Sequence, residues 1–184
     1  MVAKQIGMEY FDDSTYQANR MMYWASCPSN GEFVFKEQAG DSLDVDAHLA
    51  QYDDWRDVTQ WPVSSRQSEA VKHSVSTQAD PLQKSGIVGA FCRAYSIEEV
   101  IEKHLADVYA PSAVDGRYDY ILGEGTAGVV VYDGKFVYSH HATDPASEKL
   151  LNAFDLVRIH KFGDDDSKKS FAAMAELASR DELV

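Results

Sequence analysis

The stretch Gly128-Val129-Val130-Val131-Tyr132-Asp133-Gly134-Lys135-Phe136-Val137-Tyr138-Ser139 decides the fold. Two runs of β-branched and aromatic residues flank an Asp-Gly pair. Asp-Gly suits the two positive-φ positions of a type I′ turn, whose twist matches that of paired strands. The stretch therefore reads as an antiparallel hairpin. Upstream, residues 117–121 (Arg117, Tyr118, Asp119, Tyr120, Ile121) read as a further strand. Before that, Ile97, Val100, Ile101, His104, Leu105, Val108 and Tyr109 recur at helical spacing. Ser96 stands at the N-cap position, Glu99 completes a capping box, and Pro111 lies just beyond Tyr109. A helix over 97–109 is expected. Downstream, residues 152–160 read as a helix with Phe154, Leu156, Val157 and Ile159 on a mixed apolar face. Asp164-Asp165-Asp166 reads as a solvated turn, and 167–179 as a last helix burying Phe171, Met174, Ala175 and Ala178.

The N-terminal block differs in composition. It is dense in aromatics, among them Tyr23, Trp24, Phe33, Phe35, Trp55 and Trp61. Residues 20–24 read as a buried strand, Cys27-Pro28-Ser29-Asn30-Gly31 as a turn, and 32–35 as the returning strand. A short helix is expected within 43–52. Residues 63–85 are rich in Ser, Gln and Thr and contain no aromatic residue, so they read as linker sequence with a short helix near 69–73. No internal repeat is visible. The fold expected is α+β in two small lobes, an antiparallel β-hairpin sheet flanked by helices. The boundaries are 1–66 for the first lobe, 67–85 for the linker and 86–184 for the second.

Composition narrows the function. The 184 residues carry 17 Lys and Arg against 30 Asp and Glu, a net charge of −13. The excess acid is spread over both halves, and no basic stripe exists to displace phosphate counterions as generic nucleic-acid binders do. No apolar run is long enough to span a membrane, and the N-terminus lacks the apolar centre of a secretory signal. Two cysteines, Cys27 and Cys92, exclude a disulfide scaffold and a Cys-rich zinc site. A reducing cytoplasmic compartment is expected. The chain opens on Met1 as a natural start would, and it stops in charged helical sequence as a cut chain would.

Four candidates for chemistry stand out. Asp44-Val45-Asp46 could pair two carboxylates on a metal, but its context is that of a helix start, where Asp caps. His140, His141 and Asp144 could ligate a metal, but adjacent residues of a strand point to opposite faces. Gly123-Glu124-Gly125-Thr126-Ala127-Gly128 has the outline of a phosphate loop, yet it lacks the Lys-Ser/Thr pair and runs into a strand, so it reads as a connecting loop. Arg20, Arg93, Arg117 and Arg158 lie among apolar or aromatic residues, a placement that suits a buried ion pair or a phosphate contact. No metal and no cofactor are expected.

Several long segments together resemble the middle region of virulence-associated-E-like phage and prophage primase–helicases. They are residues 86–97 ahead of the strong helix, 117–120, 125–128, 138–145 and 152–163. Residues 10–16, 20–24, 55–58 and 61–62 fit the same family. The resemblance implies that 1–66 correspond to the tail of a primase–polymerase domain without its paired metal-binding acids, and that the helicase P-loop lies elsewhere. No catalytic activity is then expected of this chain. Residues 86–163 further resemble, by analogy, a primase zinc ribbon whose cysteine ligands are missing, packing having replaced the metal.

Three readings follow. The first is a non-catalytic part of a phage DNA primase–helicase that handles single-stranded DNA or primer-template, or joins the flanking primase and helicase modules. Its candidate contacts are Arg20, Arg93, Arg117, Lys135, His140, His141, Arg158 and Lys161. The second is a free-standing acidic phage protein that inhibits a basic host nuclease by protein–protein binding, as anti-CRISPR proteins do. The third, ranked last, is a metal enzyme built on His140, His141 and Asp144. Lobes this small pack together or form a homodimer.

Overall fold

A computed structural model describes residues 2–10, 26–62, 73–75 and 77–184. The hairpin forms as read. Strands β3 (Val129–Tyr132) and β4 (Phe136–Ser139) pair antiparallel, with Tyr132 opposite Phe136. Asp133 and Gly134 between them take φ of 53° and 65°, the two positive values that a type I′ turn needs. Strands β1 (Tyr109–Pro111), β2 (Arg117–Tyr120) and β5 (Leu150–Leu151) extend this pair into a five-stranded antiparallel meander in chain order.

Helices cover one face of the sheet. They are α3 (Gly86–Ala94), α4 (Ile97–His104), α5 (Ala153–Phe162) and α6 (Ser167–Ser179), after two short N-terminal helices, α1 (Val2–Ile6) and α2 (Val45–Leu49). The protein is α+β, a five-stranded antiparallel sheet flanked by helices. Helix α5 is the hub, packing on α3, α4, α6, β4 and β5. Asn152 starts it by accepting from the Asp155 N–H, and Gly163 ends it at φ 75°. The core joins Phe91, Ile97, Val100 and Leu105 with Phe154, Leu156 and Met174, and the inward residues Val129, Val137 and Leu151 close it from the sheet. Phe91 and Phe154 meet edge to face at 6.0 Å.

Local signals succeed where side chain and backbone agree. Ser96 and Glu99 form the capping box of α4, each side chain bonded to the other's backbone N–H. Asp44 caps α2 by accepting from the Ala47 N–H, the bland reading of that acidic pair.

Four elements differ from expectation. The helix over 97–109 stops at His104, because Leu105 leaves helical geometry and Tyr109 begins β1 opposite Tyr120. The apolar spacing ran on because Leu105 and Tyr109 feed the same core from a turn and a strand. Pro111 ends β1 at the sheet edge, where a missing N–H removes no ladder bond. Helix α3 was not foreseen, although Ile87, Val88, Phe91 and Cys92 carry its period. Residues 32–35 form no ladder among the described residues, and Phe33, Val34 and Phe35 are exposed. A strand there needs a partner, and the partner expected, residues 20–24, lies outside the described residues. Of α6, Met174 and Ala178 are buried, whereas Phe171 is 44% exposed and touches the core through Phe154.

Of the helix read near 69–73, only His73 is described, and it is helical. Further along the same segment, Asp80 caps a 3-10 turn, Pro81–Gln83, that docks on the domain. Pro81 is buried, Leu82 packs on the core, and the Arg93 Nη1 donates to the carbonyls of Leu82 and Lys84 at 2.8 and 3.0 Å.

Two substitutions separate core from turn. Phe154→Ala should cost about 3–5 kcal/mol of unfolding free energy through the cavity it leaves. Gly134→Ala should cost about 1 kcal/mol, from forcing a side chain into the left-handed region. Urea denaturation followed by circular dichroism measures both.

Candidate functional site

The most polar part of the interior lies where β1, β4 and α5 meet. Asp144 is buried there on the turn after β4. The Tyr109 hydroxyl donates to Asp144 Oδ2 at 2.8 Å, and the Ala146 N–H donates to Oδ1 at 2.8 Å. His160 of α5 approaches both partners, its Nε2 lying 2.7 Å from the Tyr109 oxygen and 3.3 Å from Asp144 Oδ1. The tyrosine has one hydrogen, and it is donated to Asp144. The tautomer with its hydrogen on Nε2 lets His160 donate to these two oxygens. Burial alone would raise the Asp144 pKa, but hydrogen bonds from His160, Ser139, Ala146 and Tyr109 outweigh it and hold the carboxyl below its ordinary value. Burial, and then the charge of Asp144, push the Tyr109 hydroxyl far up, so it stays a donor.

The glycine loop has a different task from phosphate binding. Residues 123–128 wrap the imidazole of His141. A Cβ on Gly123, Gly125 or Gly128 would lie 3.2, 3.2 or 2.4 Å from a ring atom. At Gly128 that approach leaves no room for a side chain. His141 is 8% exposed and its Nε2 has no hydrogen-bond partner. Burial lowers its pKa, as it does that of His104, whose Nε2 is also unpartnered.

His140 and His141 do point to opposite sides, His140 exposed and His141 buried. Among the described residues, no three His, Cys, Asp or Glu side chains converge as metal ligands would.

The basic candidates are dispersed and mostly engaged. Arg158 is held by Asp155 at 3.1 Å, Asp164 at 2.9 Å and the Ser170 hydroxyl at 2.9 Å. Lys135 pairs with Asp80 at 2.8 Å. Arg93 is bonded to the docked turn described above, and Lys161 is exposed. Arg117 donates to the Ala127 carbonyl at 2.9 Å. Arg20 lies outside the described residues. One grouping does emerge. Strand alternation puts Arg117, Val130, Tyr132, Tyr138 and His140 on the sheet face turned away from the helices. Arg117 and His140 sense each other's charge, and the Tyr138 and His140 rings pack edge to face at 4.8 Å. Tyr132 and Tyr138 were legible as strand residues, but their sharing of a face with Arg117 waits on the register.

The loop 54–61 reaches this sheet from the N-terminal block. Its Val58 N–H donates to the Thr126 carbonyl at 3.2 Å and its Arg56 carbonyl accepts from the Thr126 N–H at 2.9 Å. Asp57 lies near enough to Arg117 for the two charges to interact.

Fold and site thus define a small α+β domain with a buried Tyr-Asp-His core and an arginine- and tyrosine-bearing sheet face, joined at Thr126 to an N-terminal block. That block has a recognisable relative. Residues 1–64 match the family model of the VapE N-terminal domain, a match consistent with a VapE-like phage replication protein. No curated protein and no solved structure matches the chain. Among the described residues, no helix is long and apolar enough to cross a membrane.

Tyr109→Phe should destabilise the fold by about 1–3 kcal/mol, because Asp144 loses a donor while buried. Gly128→Ala should cost a similar amount, about 1–3 kcal/mol by overpacking against His141. Its cost should be non-additive with His141→Ala. Stability should fall with acid. His104 and His141 have folded pKa values below the ordinary 6.5, so their contribution is full above that value and shrinks as pH drops through it. Asp144 adds a second loss below its ordinary 3.8. Thermal melts from pH 7.5 to 4 should show the first decline, and His104→Leu should flatten it.

Proposed function

We propose that this chain is a non-catalytic part of a phage DNA primase–helicase and that it handles single-stranded template. The likeness of residues 1–64 to the VapE N-terminal domain supports the replication setting. The observation that carries the nucleic-acid role is the sheet face bearing Arg117, Tyr132, Tyr138 and His140. Antiparallel sheets with aromatic side chains on one face stack unpaired bases, and a cation beside them meets the phosphates. The net charge of −13 opposes binding at long range. Affinity is then weak and falls steeply with salt. The role is one of holding and connecting, between primase and helicase modules, because the sequence has no Gly-Lys-Ser/Thr nucleotide loop.

Fluorescence anisotropy with a labelled single-stranded oligonucleotide tests this. Binding should appear at low salt and weaken several-fold at moderate salt. Arg117→Ala and Tyr138→Ala should each weaken it about tenfold, within the range of lost stacking or phosphate contacts. Absence of binding at low salt, or an affinity in both variants equal to that of the unsubstituted chain, overturns the reading.

A further inference from the structure

The loop 54–61 is fixed by more bonds than a connector needs, and it spends them on displaying two tryptophans. Asp54 accepts from the Arg56 N–H at 2.9 Å. Asp57 accepts from both the N–H and the hydroxyl of Thr59, at 2.9 and 2.7 Å, and from Gln60 at 3.3 Å. The Trp61 indole N–H donates to the Trp55 carbonyl at 2.8 Å, and the loop is anchored to Thr126 of the sheet domain. Yet Trp55 is 38% exposed and Trp61 45% exposed. Tryptophan is among the residues enriched in binding hot spots.

The surroundings say what chemistry suits the pair. Residues 1–64 hold 11 of the Asp and Glu residues against 4 Lys and Arg, so this third of the chain supplies −7 of the −13 net charge. Asp53, Asp54 and Asp57 flank the tryptophans directly. One ring already receives a cation, the Arg56 guanidinium lying 4.8 Å from the centroid of Trp55. Within the same block Phe33, Val34, Phe35 and Leu43 are more than half exposed. A polyanion such as DNA is repelled by such a surface. A guanidinium or ammonium is attracted twice, by the ring face and by the carboxylates.

We propose that Trp55 and Trp61, with the carboxylates beside them, form a docking site for an arginine- or lysine-rich segment of a partner protein. The site is separate from the sheet face discussed above and does not depend on the nucleic-acid reading. Partner arginines stack on the indole faces, and Asp53 meets their charge. Salt weakens the contact through the carboxylates, and the stacked rings give it a component that salt does not remove.

The test uses the full chain with Trp24→Phe, which leaves Trp55 and Trp61 as its tryptophans. A nine-residue arginine peptide, a nine-residue glutamate peptide and a single-stranded oligonucleotide are each titrated while indole emission is followed. The arginine peptide should change the emission saturably, and the other two should not. Trp55→Ala, read by anisotropy of labelled peptide, should weaken binding about tenfold or more, as hot-spot loss does. Asp53→Asn should weaken it several-fold, whereas Glu182→Gln, the same charge removed from the C-terminal segment, should leave it unchanged. Circular dichroism checks that each variant folds. The proposal is overturned by no saturable change with the arginine peptide at low salt, by equal weakening from Glu182→Gln and Asp53→Asn, or by an emission change with the oligonucleotide instead.

Discussion

Asp144 is the constraint around which the domain is organised. A buried carboxylate is costly unless every lone pair is met. Here the partners come from separate parts of the chain: Tyr109 from the edge strand β1, Ser139 from β4, the Ala146 N–H from the following turn and His160 from α5. Satisfying that one group therefore fixes the first strand, the fourth strand and the hub helix relative to one another. It also explains why a strand as short as Tyr109–Pro111 holds its place at the sheet edge. Its hydroxyl anchor supplements a ladder of few bonds.

A second organising feature is close packing around His141. The three glycines of the 123–128 loop leave the volume that the imidazole fills. A loop that looks like a phosphate cradle in sequence is a cradle for a side chain of the same protein. The C-terminal end is held by comparable means. Tyr95 and Lys103 both bond to Asp181, whose carboxyl is drawn down to about 2, chiefly by the lysine.

Charge and exposure divide the molecule into two chemical surfaces. The sheet face away from the helices places tyrosines and a histidine beside Arg117. The loop 54–61, which meets that sheet at Thr126, carries tryptophans among aspartates. The first is the surface proposed for an anionic, stackable ligand and the second the one proposed for a cationic segment. The two surfaces come nearest at Asp57 and Arg117, whose charges interact.

What the sequence determined by itself is what short-range physics enforces. The Asp-Gly hairpin, the Ser96–Glu99 box, the Asp44 cap and the span of the last helix each depend on residues within a few positions of one another. The acidic balance is likewise a property of composition alone. Tertiary structure decided the rest. Leu105 and Tyr109 continue a helical spacing, yet the chain turns between them because Tyr109 gains a ladder partner in Tyr120 and a buried acid in Asp144. Most of the arginines picked out by their apolar neighbours are committed within the fold, Arg158 to two carboxylates and Arg93 to two carbonyls, and no local pattern reveals such partners. The Tyr109, Asp144 and His160 cluster joins residues 35 and 51 positions apart. Contacts at that separation depend on how strands and helices pack, and so they become visible only once the chain has folded.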